Sequence, residues 1–244
     1  MLWLLIGVVH PWWDQPLPQK CDRIDRYEQI VFATGRFSRS VTALSDTGAA
    51  TVYQLTDDAD LVIEDFQATP FVLLLSTGRV LLKYTMTTGR LDTIIRAGRM
   101  TAFTLTAEDD LVIADRDRQT LEFFDFRGRS LFSVPRLATV KDLAWAGGVL
   151  YALGGSTIDL YDRHGNGTGA IETPEPMERM RALDSLLLLF TPGLRYGYAR
   201  TSTWQRFDVP YPLSDIAVDD SMIIILGDLG AHLYYYQRTG FGER

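Results

Sequence analysis

Residues 111–128 read LVIADRDRQTLEFFDFRG. Two short apolar runs, Leu111 to Ala114 and Leu121 to Phe124, are separated by a polar breaker that starts at Asp115. Neither run has the length of a helix, and neither spaces its apolar residues at the helical period. The second run ends on an aromatic, Phe124, and leads into a turn that reaches Gly128. Glycine is what a tight hairpin needs where the backbone takes positive φ. A further strand, Ser130 to Val134, stops at Pro135. The pattern predicts an antiparallel meander of short strands joined by tight turns.

The same pattern recurs outward in both directions, and a repeat of this period decides the fold. Anchors equivalent to Phe124 stand at Leu44, Tyr84, Tyr161, Tyr198 and Tyr236, so that successive spacings are 40, 40, 37, 37 and 38. About ten residues before each anchor lies an apolar run: Ile30 to Thr34, Phe71 to Leu75, Leu111 to Ala114, Val149 to Leu153, Leu186 to Phe190 and Met222 to Leu226. These runs are continuous rather than alternating, as in sheets covered on both faces. Opening strands such as Val140 to Trp145 and Leu213 to Val218 complete a four-stranded unit. One such unit cannot cover both of its faces, whereas six arranged radially can. The chain is therefore read as all-β, a six-bladed β-propeller with four-stranded antiparallel blades over 18–244.

Residues 1–17 form a separate apolar segment. Leu2 to Val9 is an eight-residue apolar run stopped by His10-Pro11. It reads either as a signal peptide or as a strand that closes the ring. No Lys or Arg precedes it and no small-residue cleavage site follows it, which weakens the first reading. The last repeat lacks residues for its outer strand, and a sheet edge left bare calls for a closing strand from elsewhere.

The third unit resembles the NHL repeat: an apolar strand, then Ala114-Asp115-Arg116, then a strand ending in Phe124-Asp125 with Gly128 after it. Leu213 to Asp219 is similar to the opening strand of that repeat, and Val140 to Ala144 matches it in part. The resemblance implies a six-bladed propeller of the kind found in bacterial envelope proteins. It places the chain in an extracytoplasmic compartment, periplasmic or secreted, with the cytoplasm as the alternative.

Composition narrows the partners. Lys plus Arg is 24 and Asp plus Glu is 31, giving a net charge of −7. Phosphate-tracking surfaces carry a basic excess, so nucleic acid is not expected as a partner. The single cysteine, Cys21, excludes an intrachain disulfide. No apolar run reaches the roughly 20 residues of a membrane-spanning helix.

The residues that could carry binding are few. Asp115-Arg116 stands at a strand end, where a loop can present an ion pair to a partner. Asp142 and Asp215 occupy equivalent places on opening strands. Lactonase-type propellers bind calcium through oxygen ligands near the tunnel, so these two carboxylates are either calcium ligands or acceptors for backbone amides between blades. Trp12-Trp13 is an aromatic pair suited to an interface. The three histidines, His10, His164 and His232, fall in different repeats or in the tail, which disfavours a zinc site and the metal-dependent lyase chemistry of some NHL propellers. No catalytic residue and no metal ligand set is expected. The reading is a non-catalytic binding or scaffold propeller with a protein partner and no cofactor. The alternatives are a calcium-dependent lactonase or esterase and a propeller that binds carbohydrate or another small molecule.

Overall fold

A computed structural model describes residues 13–45, 48–56, 61–136, 138–184, 186–193, 195–198, 203–206, 211–218, 222–227 and 229–237. Its strands run in chain order. They begin with β1 (Trp13–Pro16), β2 (Arg23–Tyr27), β3 (Ile30–Thr34), β4 (Ser40–Ser45), β5 (Ala50–Gln54), β6 (Asp65–Ala68), β7 (Val72–Ser76), β8 (Val80–Thr85) and β9 (Arg90–Arg96). Then come β10 (Met100–Leu105), β11 (Leu111–Asp115), β12 (Thr120–Phe124), β13 (Ser130–Pro135), β14 (Asp142–Ala146), β15 (Val149–Leu153), β16 (Thr157–Tyr161) and β17 (Gly167–Glu172). The series ends with β18 (Arg179–Leu183), β19 (Leu186–Phe190), β20 (Arg195–Tyr198), β21 (Trp204–Arg206), β22 (Leu213–Val218), β23 (Met222–Gly227) and β24 (His232–Gln237).

These strands make six four-stranded antiparallel sheets. The first blade is β2–β5, the second β6–β9, the third β10–β13, the fourth β14–β17 and the fifth β18–β21; the sixth has the order β1-β24-β23-β22. The fold class is thus the six-bladed β-propeller expected from the repeat, and every anchor lies on the third strand of its blade. The outer strand of the sixth blade does come from the N-terminal side, as Trp13–Pro16 paired with β24. Blade structure therefore starts upstream of the expected boundary at residue 18. The segment expected to supply that strand, Leu2 to Val9, lies outside the described residues.

The chain divides into two compact units, one built from Arg96–Phe207 and the other from Leu5–Ile95 together with Asp208–Gly240. The first holds the third, fourth and fifth blades; the second holds the sixth, first and second.

Inside each unit, the continuous apolar runs are explained by the two-residue period of a strand. In β3, Val31 and Ala33 turn one way, into a cluster with Ile24, Ala217, Ile224 and Leu233 of the first and sixth blades. Phe32, between them, turns the other way, into a cluster with Phe66, Leu73 and Leu75 of the second blade. In the other unit, Leu150 and Ala152 of β15 pack with Val112, Leu121 and Phe123 of the third blade. Leu153 on the opposite face packs with Met180, Leu187 and Leu189 of the fifth. Both faces of a middle strand are buried, so both must be apolar.

Cys21 is fully buried at the first of these clusters, and its Sγ–H points to the Gln19 carbonyl at 3.5 Å. Burial, with Asp22 adding to it, pushes the thiol up to about 12. At pH 8 a thiol reagent should therefore modify the native protein far more slowly than the urea-unfolded chain; equal rates would contradict this burial.

Gly230 takes φ +85° and lies so close to the Cys21 backbone that an added Cβ would collide with the Cys21 carbonyl. Gly148 has a similar φ of +79° with open space around it. The left-handed conformation alone costs a non-glycine residue about 1–2 kcal/mol. Overpacking adds about 1–3 kcal/mol. Urea unfolding should show Gly148→Ala losing only the first amount and Gly230→Ala losing both; equal losses would contradict the close approach.

Candidate functional site

A carboxylate organises the most built-up loop region of the Arg96–Phe207 unit. Asp115, at the end of β11, is 2% exposed. Its Oδ2 accepts the Gly98 amide at 2.7 Å, and its Oδ1 accepts the amides of Asp117 at 3.0 Å, Arg99 at 3.2 Å and Arg118 at 3.3 Å. Burial on its own would raise the carboxyl's pKa, but the four amide donors outweigh it and hold it below the ordinary value. The effect on the backbone is to tie the link before β10 to the turn after β11. A carboxylate at the strand end suits this role, because its two oxygens together accept four amides drawn from both segments.

The tie sets one side of a pocket of about 190 Å³ at the junction of the third and fourth blades. Thr101, Asp115, Arg116, Gln119, Thr120, Arg136 and Thr139 give it polar walls, with Ala114, Ala138 and Val140 between them. Gln119 holds the left-handed conformation, φ +54°, and its carbonyl accepts the Arg136 amide at 2.7 Å. That bond clamps the segment after β13 against the turn after β11.

The charges around the pocket are only partly paired. Arg136 is 7% exposed; its Nη2 lies 2.8 Å from Asp159 Oδ2, while Nε and Nη1 are buried without hydrogen-bond partners. Arg118 turns to Glu122, with Nη1 at 2.8 and 3.1 Å from its two oxygens, and its Nε is 3.7 Å from Asp115. Arg99 and Arg116 are joined through the backbone, the Arg116 amide donating to the Arg99 carbonyl at 2.8 Å. Both side chains are exposed, and among the described residues neither forms an ion pair. Asp117 is the one exposed carboxylate on the same turn.

The expected binding residues are thus distributed over three places. Asp115 and Arg116 come together on this pocket. Asp142 belongs to the same unit but is engaged elsewhere: it is 2% exposed, its Oδ2 accepts the Met180 amide of the fifth blade at 2.7 Å, and its Oδ1 accepts the Leu143 amide at 3.0 Å. Arg179 Nε and Arg181 Nη1 lie 3.4 and 3.7 Å from the same Oδ2. Asp215 is in the other unit, fully buried; its Oδ2 accepts the Ile24 amide of the first blade at 3.1 Å and its Oδ1 the Ile216 amide at 2.9 Å. Both carboxylates serve as acceptors between blades. Among the described residues no group of three or more His, Cys, Asp or Glu is placed to hold a metal ion. Trp12 lies outside the described residues; Trp13 is the first residue of β1, in backbone register with Tyr235.

Gln119, Arg136, Arg99 and the three threonines were not legible as site residues. A signal was nevertheless present. The short segments 96–101, 116–120 and 136–141 carry Arg96, Arg99, Arg116, Arg118, Arg136 and Lys141 against a single acid, Asp117, in a chain whose net charge is negative.

No family model and no curated protein matches the chain. Solved structures do resemble it. Virginiamycin B lyase from Staphylococcus aureus is 10% identical with a TM-score of 0.64, over 93% of this chain and 88% of that one. The WD40 propeller domain of Doa1 is 10% identical with a TM-score of 0.67, over 94% and 97%. A chain of the mitotic checkpoint complex is 12% identical with a TM-score of 0.66, over 93% and 91%. At these identities the likeness shows the propeller fold and nothing finer. No helix among the described residues is long and apolar enough to cross a membrane.

The depressed Asp115 carboxyl carries a pH signature. Its contribution to stability is fully present above the ordinary Asp value of about 3.9 and is lost as pH falls through the lower folded value. Asp115→Asn should be less stable than the parent at pH 7, and the gap should narrow as pH drops below about 3.9. Urea titrations of both proteins across pH 2–7 give the comparison; a gap independent of pH would mean that the four amide bonds do not depend on the charge.

Proposed function

We propose that this chain is a non-catalytic binding propeller that presents the junction of its third and fourth blades to a protein partner. The observation that carries this reading is the size and setting of the pocket. Pockets that enclose whole small molecules run to about 300–1,000 Å³. This one is about 190 Å³ and is bordered by the exposed residues Arg116, Gln119, Ala138 and Thr139. Such a recess suits one side chain of a larger partner whose remainder lies on the surrounding loops. The similarity to a WD40 propeller domain and to a chain of the mitotic checkpoint complex supports a scaffold role; the similarity to a lyase reflects a shared fold.

The finer placement belongs to the same proposal. The Ala114-Asp115-Arg116 and Phe124-Asp125 signatures support an NHL-type propeller. With the apolar run Leu2 to Val9, they favour an extracytoplasmic assembly. Fractionation of the native cells should then find the protein outside the cytoplasm; a cytoplasmic pool would remove this localisation and leave the binding role intact.

Ala138→Trp tests the binding role by filling the pocket without altering charge. In cross-linked native cells, the tagged full chain should retain a protein partner whose cross-links map to 116–120 and 138–141. The tryptophan variant should weaken that partner at least about tenfold, equivalent to 1.4 kcal/mol. Cross-links confined to other surfaces, or a partner indifferent to the tryptophan, would overturn the assignment.

A further inference from the structure

Phe37, Leu229 and Phe71 are exposed apolar residues on three separate loops, and nothing in the structure shows what covers them. The outer strands of the blades differ from one another in a way that does point to an occupant. Each presents a row of backbone donors and acceptors at its open edge. Among the described strands, five of the six outer ones are guarded by their own sequence. β9 carries Arg90, Asp92 and Arg96. β13 has an irregular register and ends on Pro135, which has no N–H to offer. β17 contains two glycines and ends on Glu172, whose carbonyl accepts the Trp204 indole N–H of the next blade at 2.7 Å. β21 has three residues and ends on Arg206. β1 has four, with Asp14 and Pro16 among them.

β5 is the exception. It reads ATVYQ, five residues without a charge, a proline or a glycine. The direction of its backbone groups follows from its register. The Ser45 amide donates to the Ala49 carbonyl at 2.9 Å, and the Leu55 amide donates to the Arg39 carbonyl at 2.8 Å. Between these bonds Val41 pairs with Tyr53 and Ala43 with Thr51. Bonded pairs recur every second residue of an antiparallel ladder, so Thr51 and Tyr53 turn their N–H and C=O toward β4. Ala50, Val52 and Gln54 turn theirs outward. The side chains alternate as well. Tyr53 packs toward the second blade, edge-on to Tyr84 with ring centroids 6.2 Å apart. Val52, on the opposite face, is 60% exposed.

We infer that β5 docks a second copy of this chain. The two β5 strands lie antiparallel side by side, and the first blades of both copies join into one eight-stranded sheet. The occupant follows from the strand's match to itself. A two-fold axis at Val52 sets Val52 opposite Val52, Ala50 opposite Gln54, and Thr51 opposite Tyr53. Every pair is uncharged and the central one is apolar. The outward groups of Ala50, Val52 and Gln54 exchange about six main-chain hydrogen bonds with their images. The same operation at the centre of β9 would set Arg90 opposite Arg96, and like charges directly opposite destabilise a strand pair. Two copies of net charge −7 repel at a distance, so their contact belongs at a neutral edge. Acids stand before and after the neutral stretch, at Asp46 and Asp57, so the contact is short and the dimer weak. Pairing consumes this edge in both copies, and assembly stops at two.

The test is sedimentation equilibrium of the untagged full chain from about 1 μM to the sub-millimolar range. A monomer–dimer equilibrium should appear and should strengthen with salt, because screening relieves the repulsion between copies. Val52→Lys sets two cations opposite each other and should weaken the dimer at least about tenfold. Val52→Thr keeps an uncharged β-branched residue and should dimerise like the parent. Val52 is exposed, so both variants should unfold near the parent's midpoint. In residue-resolved hydrogen exchange, the Ala50, Val52 and Gln54 amides should slow as the dimer forms, while Thr51 and Tyr53 stay protected at every concentration. If Val52→Lys proves unstable, the exchange pattern of the parent decides.

A monomer at all concentrations, a dimer indifferent to Val52→Lys, assembly beyond two copies, or a dimer that leaves those three amides unprotected would each overturn the inference. A chain that stays monomeric and gains this protection only from a strand of another protein would overturn it too, by replacing the occupant. None of these outcomes bears on the pocket of the third and fourth blades, which Ala138→Trp tests separately.

Discussion

At three blade junctions a carboxylate on one inner strand accepts a backbone amide from the next, and much of the structure depends on that bond. Asp142 does this for Met180 in one unit; Asp215 does it for Ile24, and Asp25 for Ala68 at 2.6 Å, in the other. Apolar clusters between blades supply the bulk of the stabilisation, but they are non-directional. A charge-assisted hydrogen bond to a backbone amide is directional and fixes how far one inner strand is displaced along its neighbour. An alternative offset would bury the same hydrocarbon and leave a carboxylate unpaired, which is costly in a dry interior.

The junction of the third and fourth blades departs from this arrangement. Strand β10 reads MTAFTL and has no acid to offer. The connection is made instead by the Arg136–Asp159 ion pair and by the clamp from the Gln119 carbonyl to the Arg136 amide. Asp115 has moved its carboxylate one strand outward and spends it on loops rather than on the next blade. The pocket lies where the inter-blade carboxylate is missing. A recess thus occupies the place of a structural bond, with the Arg136–Asp159 ion pair beside it. Proteins commonly break a regular structural rule at a functional position and compensate beside it.

Much of the architecture was legible because a propeller repeats one local solution. The residues of β3, β15 and β19 were located to the residue by apolar runs bounded by Gly, Asp or Pro breakers, since a strand buried on both faces has no other composition available to it. Closing the sixth blade from the N-terminal side followed from a missing outer strand. That Trp13–Pro16 performs it was not visible, because WDQP is short, polar and contains a proline, and only an edge position paired on one side tolerates such a sequence. The site was half legible. Asp115-Arg116 stood out as a charged pair at a strand end, and it does line the pocket. Arg136 and Thr101 did not stand out, because each looks ordinary in its own segment.

The sequence by itself determined the blade count, the second and third strands of each blade and two of the inner-strand carboxylates, Asp142 and Asp215. Those properties are local: turn chemistry, two-residue alternation and a period near forty residues act within one repeat. The tertiary structure alone decided which carboxylates are consumed by amides and which arginines are left over. Asp142, Asp215 and Asp115 are the same residue type on strands, and only the backbone brought beside each one determines what its oxygens accept. Likewise Arg118 and Arg116 are two residues apart, yet among the described residues one meets Glu122 and the other meets no acid. Electrostatic matching is a property of through-space neighbours, and those neighbours come from strands far apart in the chain.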